Sequence, residues 1–363
     1  MTSLVHCWLL GMVLALLVAC GGGTMPEAGP TASDAAAPPP AEPMQQQPVA
    51  DTNNDNNTTG SESPVPGRML LVQNGTIWLW DGPEPRPLIG ENAWQPAWSP
   101  DGSRIAYIEH GESYSDIMVA TASGETLERL TINSSDYPSR SHERIYDTMW
   151  AFYPTWSPDG DTLVMIGQEG PPFGSPAIEY NLSIYQVPVE GGSRALLATN
   201  AEAHAGQLAY APDGSMIVFT QANIRQDGQH QLYRLLVDEG TVEPFPGAPP
   251  RSYDATFSAD GRWLAFAARD ERGTDIWVLP ARPAAGNNPR PQRLTTMGTA
   301  RAPIFSPDGT KLAFLAIPPG EVGFELWMVD LTQENQGAIQ ASAARQLTAR
   351  MSLDADSGLS WVR

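Results

Sequence analysis

Trp98-Ser99-Pro100-Asp101-Gly102 runs into the apolar stretch Ile105-Ala106-Tyr107-Ile108, and the same pairing returns four more times. Trp156-Ser157-Pro158-Asp159-Gly160 precedes Leu163-Val164-Met165-Ile166. Tyr210-Ala211-Pro212-Asp213-Gly214, Phe257-Ser258-Ala259-Asp260-Gly261 and Phe305-Ser306-Pro307-Asp308-Gly309 each precede a similar run. The pentapeptide has the chemistry of a tight turn. Proline presets φ at the first corner, aspartate bonds its own backbone, and glycine takes the left-handed position that closes a hairpin with a bulge. An aromatic stands before each turn and an apolar run after it, which reads as strand, turn, strand. Self-similarity at a period of about 50 residues signals a repeat architecture.

Each repeat holds four strands. The second unit places them at 95–99, 104–109, 116–120 and 127–130, and the third at 154–156, 163–166, 182–189 and 194–197. The fourth has 207–210, 216–220, 232–237 and 242–245, and the fifth 254–257, 263–267, 275–279 and 292–295. The sixth has 302–305, 312–315, 325–329 and 345–347. The first unit shows only three, at 69–72, 76–80 and 86–89, the first two joined by the hairpin signal Asn74-Gly75. The chain ends on Ser357-Gly358-Leu359-Ser360-Trp361, and Trp361 stands where every other unit has its pre-turn aromatic. The C-terminus therefore supplies the missing strand. Short, turn-punctuated strands with no helical run predict an all-β, six-bladed β-propeller of four-stranded blades, the first closed by the C-terminal strand.

The 363 residues hold 21 basic and 41 acidic side chains, for a net charge of −20. That balance argues against nucleic acid and against an anionic membrane surface, since both need a basic footprint. Residues 1–20 read as a signal peptide: Trp8 to Val18 is apolar and too short to span a bilayer. It ends in Leu17-Val18-Ala19-Cys20, which resembles a bacterial lipobox and makes Cys20 the expected lipidation site, although Met1 to His6 lack Lys and Arg. The protein is thus expected to be exported and lipid-anchored, at the periplasmic face of a membrane or the extracellular cell surface. Cys7 is the one other cysteine, so the mature chain has no thiol for a disulfide, a nucleophile or a zinc cluster. Residues 21–67 contain no Lys or Arg and are rich in Pro, Ala and Asn, the composition of a disordered tether. Asp51, Asn53, Asp55 and Glu62 have the spacing of calcium-loop ligands, but Asn56 replaces the loop's glycine and no helices flank it. The expected division is signal peptide 1–20, linker 21–67 and propeller 68–363.

The repeat as a whole resembles a known family. Aromatic-Ser-Pro-Asp-Gly, then Ile105-Ala106-Tyr107, then Asp275-Ile276-Trp277-Val278, then Arg293-Leu294-Thr295 is similar to the WD40-like (PD40) propeller repeat of TolB. The same repeat occurs in the propeller domains of prolyl-oligopeptidase-type and tricorn-type proteases. The resemblance covers 68–363 and implies the propeller fold, with a scaffold role in envelope assembly or transport. These residues build the blade rather than a site, so they specify fold more than function.

Catalytic signatures are missing from the sequence. There is no G-x-S-x-G elbow and no segment left over for a hydrolase domain. His6, His110, His142, His204 and His230 are not spaced as metal pairs, and no P-loop occurs. No metal or cofactor is indicated. Asp101, Asp159, Asp213, Asp260 and Asp308 repeat at a turn position and read as structural. The long connections at 168–181, 221–230 and 132–152 all fall on the face opposite the tight turns, and binding residues concentrate on such loops. The candidate binding residues there are Trp94, Arg144, Tyr146, Trp150, His204, Tyr253, Asp254 and Arg301. The expected function is a non-catalytic envelope lipoprotein whose propeller binds a protein, peptide or glycan through this face. The alternatives are a channel-sited metal- or quinone-dependent hydrolase or sugar dehydrogenase, and an accessory propeller gating a separate peptidase.

Overall fold

The computed structural model describes residues 63–224, 229–283, 288–333 and 338–363. The signal peptide, Cys20, the calcium-like spacing and nearly all of the linker lie outside the described residues.

Six antiparallel sheets are formed, five of them from consecutive strands and one from both ends of the described chain. Blade 2 holds β4 (Ala93–Trp98), β5 (Arg104–His110), β6 (Ser115–Thr121) and β7 (Thr126–Arg129); blade 3 holds β8 (Ala151–Trp156), β9 (Thr162–Gly167), β10 (Ser183–Pro188) and β11 (Ala195–Ala198). Blade 4 runs from β12 (Ala203–Tyr210) through β13 (Met216–Asn223) and β14 (His230–Leu236) to β15 (Thr241–Pro244). Blade 5 runs from β16 (Ser252–Phe257) through β17 (Trp263–Asp270) and β18 (Gly273–Pro280) to β19 (Gln292–Arg293). Blade 6 contains β20 (Arg301–Phe305), β21 (Lys311–Ala316), β22 (Glu325–Gln333), β23 (Ile339–Ala341) and β24 (Arg345–Gln346). Blade 1 is β1 (Arg68–Gln73), β2 (Thr76–Trp80) and β3 (Arg86–Ile89), with β25 (Ser360–Val362) at its inner edge. β25 pairs antiparallel to β1 with Met69 opposite Trp361, so the two ends of the chain close the ring as the repeat count requires.

Two local features differ from expectation. Blade 6 has two outer segments, because β22 is long enough to pair with β23 at one end and β24 at the other. The connection from blade 2 to blade 3 contains one helical turn, α1 (His142–Ile145), N-capped by Ser141. At the start of the fold, Val65 is already fully buried in the cluster of Met69, Leu71 and Trp361.

The repeated turn works through its serine as well as its aspartate. Gly102 N donates to Ser99 O and Gly102 has φ +68°, the left-handed corner that glycine favours. Ser99 Oγ donates to Asp101 Oδ1 (2.6 Å) and accepts from Arg104 N (2.9 Å), while Asp101 Oδ1 also accepts from Ser103 N (3.0 Å). The Ser–Asp bond recurs at Ser157–Asp159 (2.5 Å), Ser258–Asp260 (2.6 Å) and Ser306–Asp308 (2.6 Å). These bonds, led by that from Ser99, bring the Asp101 carboxyl down to about 2. In the turn of blade 4 Ala211 replaces the serine, and Asp213 instead takes Ser215 Oγ (2.9 Å) and Arg282 as partners.

The other two motifs meet inside the blade. Asp116, Asp275 and Glu325 lie within the first three residues of the third strands of blades 2, 5 and 6 and are buried. Each carboxylate accepts from the threonine that ends Arg-Leu-Thr or its counterpart: Thr131 (3.0 Å), Thr295 (2.7 Å) and Thr348 (2.6 Å). The same hydroxyls accept the backbone N–H of Ile117, Ile276 and Leu326 (2.8–3.0 Å). Arg293 completes the blade 5 site on Asp275. The apolar core lies between blades, in clusters that join each blade to its neighbours. Arg68 over Trp98 (4.5 Å) and Arg104 over Trp156 (4.8 Å) repeat one blade-to-blade contact near the turns.

Candidate functional site

Five of the six innermost strands contain the same irregularity. The register slips between Trp94 and Ala97, Phe152 and Thr155, Gly206 and Leu208, Tyr253 and Thr256, and Arg301 and Ile304. At each slip one residue has positive φ: Gln95 (50°), Tyr153 (52°), Gln207 (24°), Asp254 (55°) and Ala302 (51°), with Gly358 (69°) in the same position before β25. Only Gly358 occupies that region without strain. The five bulge residues and Gly358 ring the central channel, whose cavity of about 480 Å³ is lined by all six of these residues and by the turn prolines Pro100, Pro158, Pro212 and Pro307. Two bulge side chains span blades. Gln95 Oε1 accepts the N–H of Tyr153 (2.7 Å), and Asp254 Oδ2 accepts that of Ala302 (3.0 Å).

The candidate residues do not form one ring on the loop-rich face. They fall into two groups, with His204 apart. The first group sits over blades 2 and 3. Trp94 and Trp150 flank His110 at 5.9 and 6.0 Å, and Trp150 stacks on Phe152 (5.8 Å, 6° between planes). Burial lowers the pKa of His110, which favours the neutral imidazole. Above them, Arg144 of α1 donates to Ser113 Oγ (3.0 Å), Ser135 O (3.2 Å) and Tyr137 O (2.9 Å). Its guanidinium is therefore spent on shaping the loop. Tyr146 Oη donates to Gly174 O (2.9 Å), tying this connection to the 168–181 loop of blade 3. The tied loops expose Ile132, Tyr137, Ile145, Phe173 and Ile178.

The second group lies over blades 5 and 6. Asp254 is buried and accepts from Arg301 Nε (3.0 Å), and Arg301 also pairs with Asp356 (2.7 Å), which is half exposed. Arg301 lies over the Tyr253 ring (5.4 Å), and Tyr253 meets His230 edge-on (5.0 Å). Burial raises the pKa of Asp354, and Asp354 Oδ1 accepts Ser357 N (2.6 Å). Tyr153 titrates high, first from burial and then from the charges of Asp356 and Asp254. His204 accepts from Leu182 N through Nδ1 (3.0 Å), so its free ring nitrogen carries the proton when the ring is neutral.

His110, Tyr153, Asp354 and Asp356 were not among the sequence candidates. His110 ends the second strand of its blade, which places it beside the first-strand Trp94, and that register was available in the repeat. Asp354 and Asp356 precede the closing strand, which puts them at the mouth once Trp361 is aligned with the other aromatics. Nothing in the sequence marks the positive φ of Tyr153. Among the described residues, no group of three or more His, Cys, Asp and Glu is arranged to hold a metal ion, and no helix is long and apolar enough to cross a membrane.

This architecture has relatives. An uncharacterized protein of Agrobacterium fabrum is 27% identical over 233 residues, spanning 61% of this chain and 69% of its own. TolB from Acinetobacter baumannii superposes with a TM-score of 0.55 at 20% identity, covering 76% of this chain. This chain spans 65% of that TolB, just under two thirds of its length. A putative TolB from Agrobacterium tumefaciens gives a TM-score of 0.49 at 18% identity, covering 77% of this chain and 89% of its own. The family model for the TolB beta propeller domain (PD40) matches residues 81–288, more than half of the chain. With six four-stranded blades, a ring closed by its own C-terminus and turns built on Ser-Pro-Asp-Gly, the chain belongs to the TolB beta propeller domain family.

Proposed function

We propose that this is a non-catalytic cell-envelope lipoprotein, anchored through Cys20, whose propeller binds a partner through the loop-rich face over blades 2 and 3. The observation that carries the proposal is the pair of interlocked loops exposing Ile132, Tyr137, Ile145, Phe173 and Ile178. Apolar side chains presented together on rigidly held loops are characteristic of interaction surfaces, and a protein or peptide suits them better than a glycan. Trp94 and Trp150 support these loops from below, while Tyr253, Asp254 and Arg301 form a separate charged group at the channel mouth.

The test is capture of partners from detergent-solubilised envelope by the full-length protein and by an Ile145→Asp/Phe173→Asp variant. A partner held by the first and lost by the second, with the melting temperature unchanged, is expected. Equal capture by both would overturn this face as the binding surface. Anchoring is tested separately by Cys20→Ser, which should move the protein from the membrane to the soluble fraction.

A further inference from the structure

Three connections meet on the face over blades 2 and 3. Residues 111–114 and 168–182 join the second and third strands of blades 2 and 3, and residues 130–150 join one blade to the other. Arg144 Nε donates to Ser113 Oγ (3.0 Å) and fastens the long connection to the first loop, while Tyr146 Oη donates to Gly174 O (2.9 Å) and fastens it to the other. The blade 3 loop is also folded on itself. Phe173 and Ile178 form an antiparallel bridge, and the Phe173 ring lies 4.9 Å from that of Tyr180. The apolar side chains exposed on this surface therefore belong to one held unit.

That unit carries a charge. Its three connections contain the carboxylates Glu112, Asp136, Glu143, Asp147, Glu169 and Glu179, all exposed, against the two arginines Arg140 and Arg144. Arg144 is turned onto hydroxyl and carbonyl oxygens and pairs with none of the six. Glu112, Asp136 and Glu143 form no ion pair among the described residues. The carboxylates also stand beside the apolar residues in the chain. Asp136 precedes Tyr137, Glu143 and Asp147 flank Ile145, and Glu179 follows Ile178. The face is thus an apolar patch with an acidic rim.

The rim selects the occupant. A second copy of this chain would set six carboxylates against six, and like charges facing one another suppress association. An anionic bilayer is repelled for the same reason. A neutral glycan would leave the rim without complementary charge and the patch poorly covered. A polypeptide with apolar side chains to cover Ile145 and Phe173, and with Lys or Arg beside them, satisfies both parts.

We infer that this face receives a basic, apolar segment of a partner protein, with Glu112, Asp136 and Glu143 holding its cations around the apolar contact. The inference rests on the loop-rich face being the binding surface and adds the chemistry of what binds there.

The experiment titrates the full-length protein, by fluorescence anisotropy, with labelled synthetic peptides: leucine–lysine peptides of helical and of strand period, and the leucine–glutamate counterpart of each. At least one leucine–lysine peptide should bind, more weakly at about 300 mM than at about 50 mM NaCl, and neither leucine–glutamate peptide should. Glu112→Gln/Asp136→Asn/Glu143→Gln should weaken binding about tenfold with the melting temperature unchanged. Glu190→Gln/Asp238→Asn/Glu239→Gln removes the same charge from exposed positions on the tight-turn face and should change binding less than about twofold. Binding of no leucine–lysine peptide, equal binding of both peptide charges, or equal weakening by the two triple variants would overturn the inference. The envelope partner separates the two readings. If it is lost from Ile145→Asp/Phe173→Asp but fully held by the loop charge variant, the face stands as the binding surface and the basic partner falls. If Ile145→Asp/Phe173→Asp still holds it, the face itself falls.

Discussion

Trp361 carries the closure of the ring, and Trp361→Ala measures it. β25 is three residues long and meets β1 at Arg68–Val362, Met69–Trp361 and Leu70–Ser360. A ladder so short contributes little by itself. The indole is 8% exposed, packs with Val65, Met69 and Leu71, and donates from Nε1 to Pro66 O (2.6 Å). Ser360 Oγ accepts Trp98 N (2.9 Å) and ties the strand to blade 2. Truncating a buried Trp to Ala costs about 3–5 kcal/mol through lost transfer energy and the remaining cavity. The orphaned Pro66 carbonyl adds little, since the site lies near the surface. With a urea m-value of about 3 kcal/mol/M, the unfolding midpoint should fall by about 1–1.7 M. Far-UV circular dichroism is the appropriate readout, because indole fluorescence changes with the substitution itself. Removing residues 353–363 should abolish cooperative unfolding altogether, since blades 1 and 6 lose their shared core. A midpoint shift below about 0.3 M for Trp361→Ala, at unchanged m, would refute closure by this strand.

Thr295→Val keeps the shape but leaves Asp275 short of one donor and Ile276 N–H without its acceptor, so a loss of about 2–3 kcal/mol is expected by thermal unfolding; a loss under about 0.5 would discount the motif's role. At Asp254, where φ is positive, Asn should cost least because it tolerates that conformation and still accepts Ala302 N, and Ala most, by about 3–5 kcal/mol. The turn carboxylates Asp101, Asp159 and Asp308 titrate below their ordinary range, chiefly through their serine partners. The contribution of Asp101 is complete above about pH 4 and is lost as the pH falls toward 2, so Ser99→Ala should flatten the acid limb of the stability curve. His110 also titrates low, but as a base: the unfolded state takes up the proton first, stability falls as the pH drops below about 6.5, and His110→Phe should reduce that slope.

The frame was legible because its devices are local and repeated. Pro-Asp-Gly states its own turn, and Asn74-Gly75 states its hairpin, with both residues at positive φ (50° and 71°). The count of pre-turn aromatics placed Trp361 in blade 1. The bond between Asp275 and Thr295 was visible only as two recurrent motifs, since nothing local says that a residue opening one strand faces one ending the next. The doubled outer edge of blade 6 was missed because β23 (Ile-Gln-Ala) is too short to show a period. The candidate site was read less well. Arg144 and Arg301 were singled out as exposed anchors, yet both are engaged within the fold, one on Ser113 and loop carbonyls, the other between Asp254 and Asp356. Sequence shows where an arginine lies along the chain but not which internal acceptors reach it first.

Function in a repeat protein is written in the departures from the repeat. The five bulge residues and Gly358 share a positive φ, so any common requirement of the fold is met by Gln95, Tyr153, Gln207, Asp254, Ala302 and Gly358 alike. Five are not glycine, and strain at that position is tolerated only where the side chain or its surroundings compensate. For Gln95 and Asp254 the compensation is visible as a bond to the next blade's freed N–H. Tyr153 and Gln207 have no such bond, and glycine would serve the backbone better at both. Their side chains line the channel instead, on the side opposite the space left by Ala302 and Gly358. A ring that kept perfect symmetry would carry six equal residues here. The series from tyrosine to glycine leaves the channel lined by long polar side chains beside blades 3 and 4 and by small residues beside blades 6 and 1, so the departures from the repeat make its wall asymmetric.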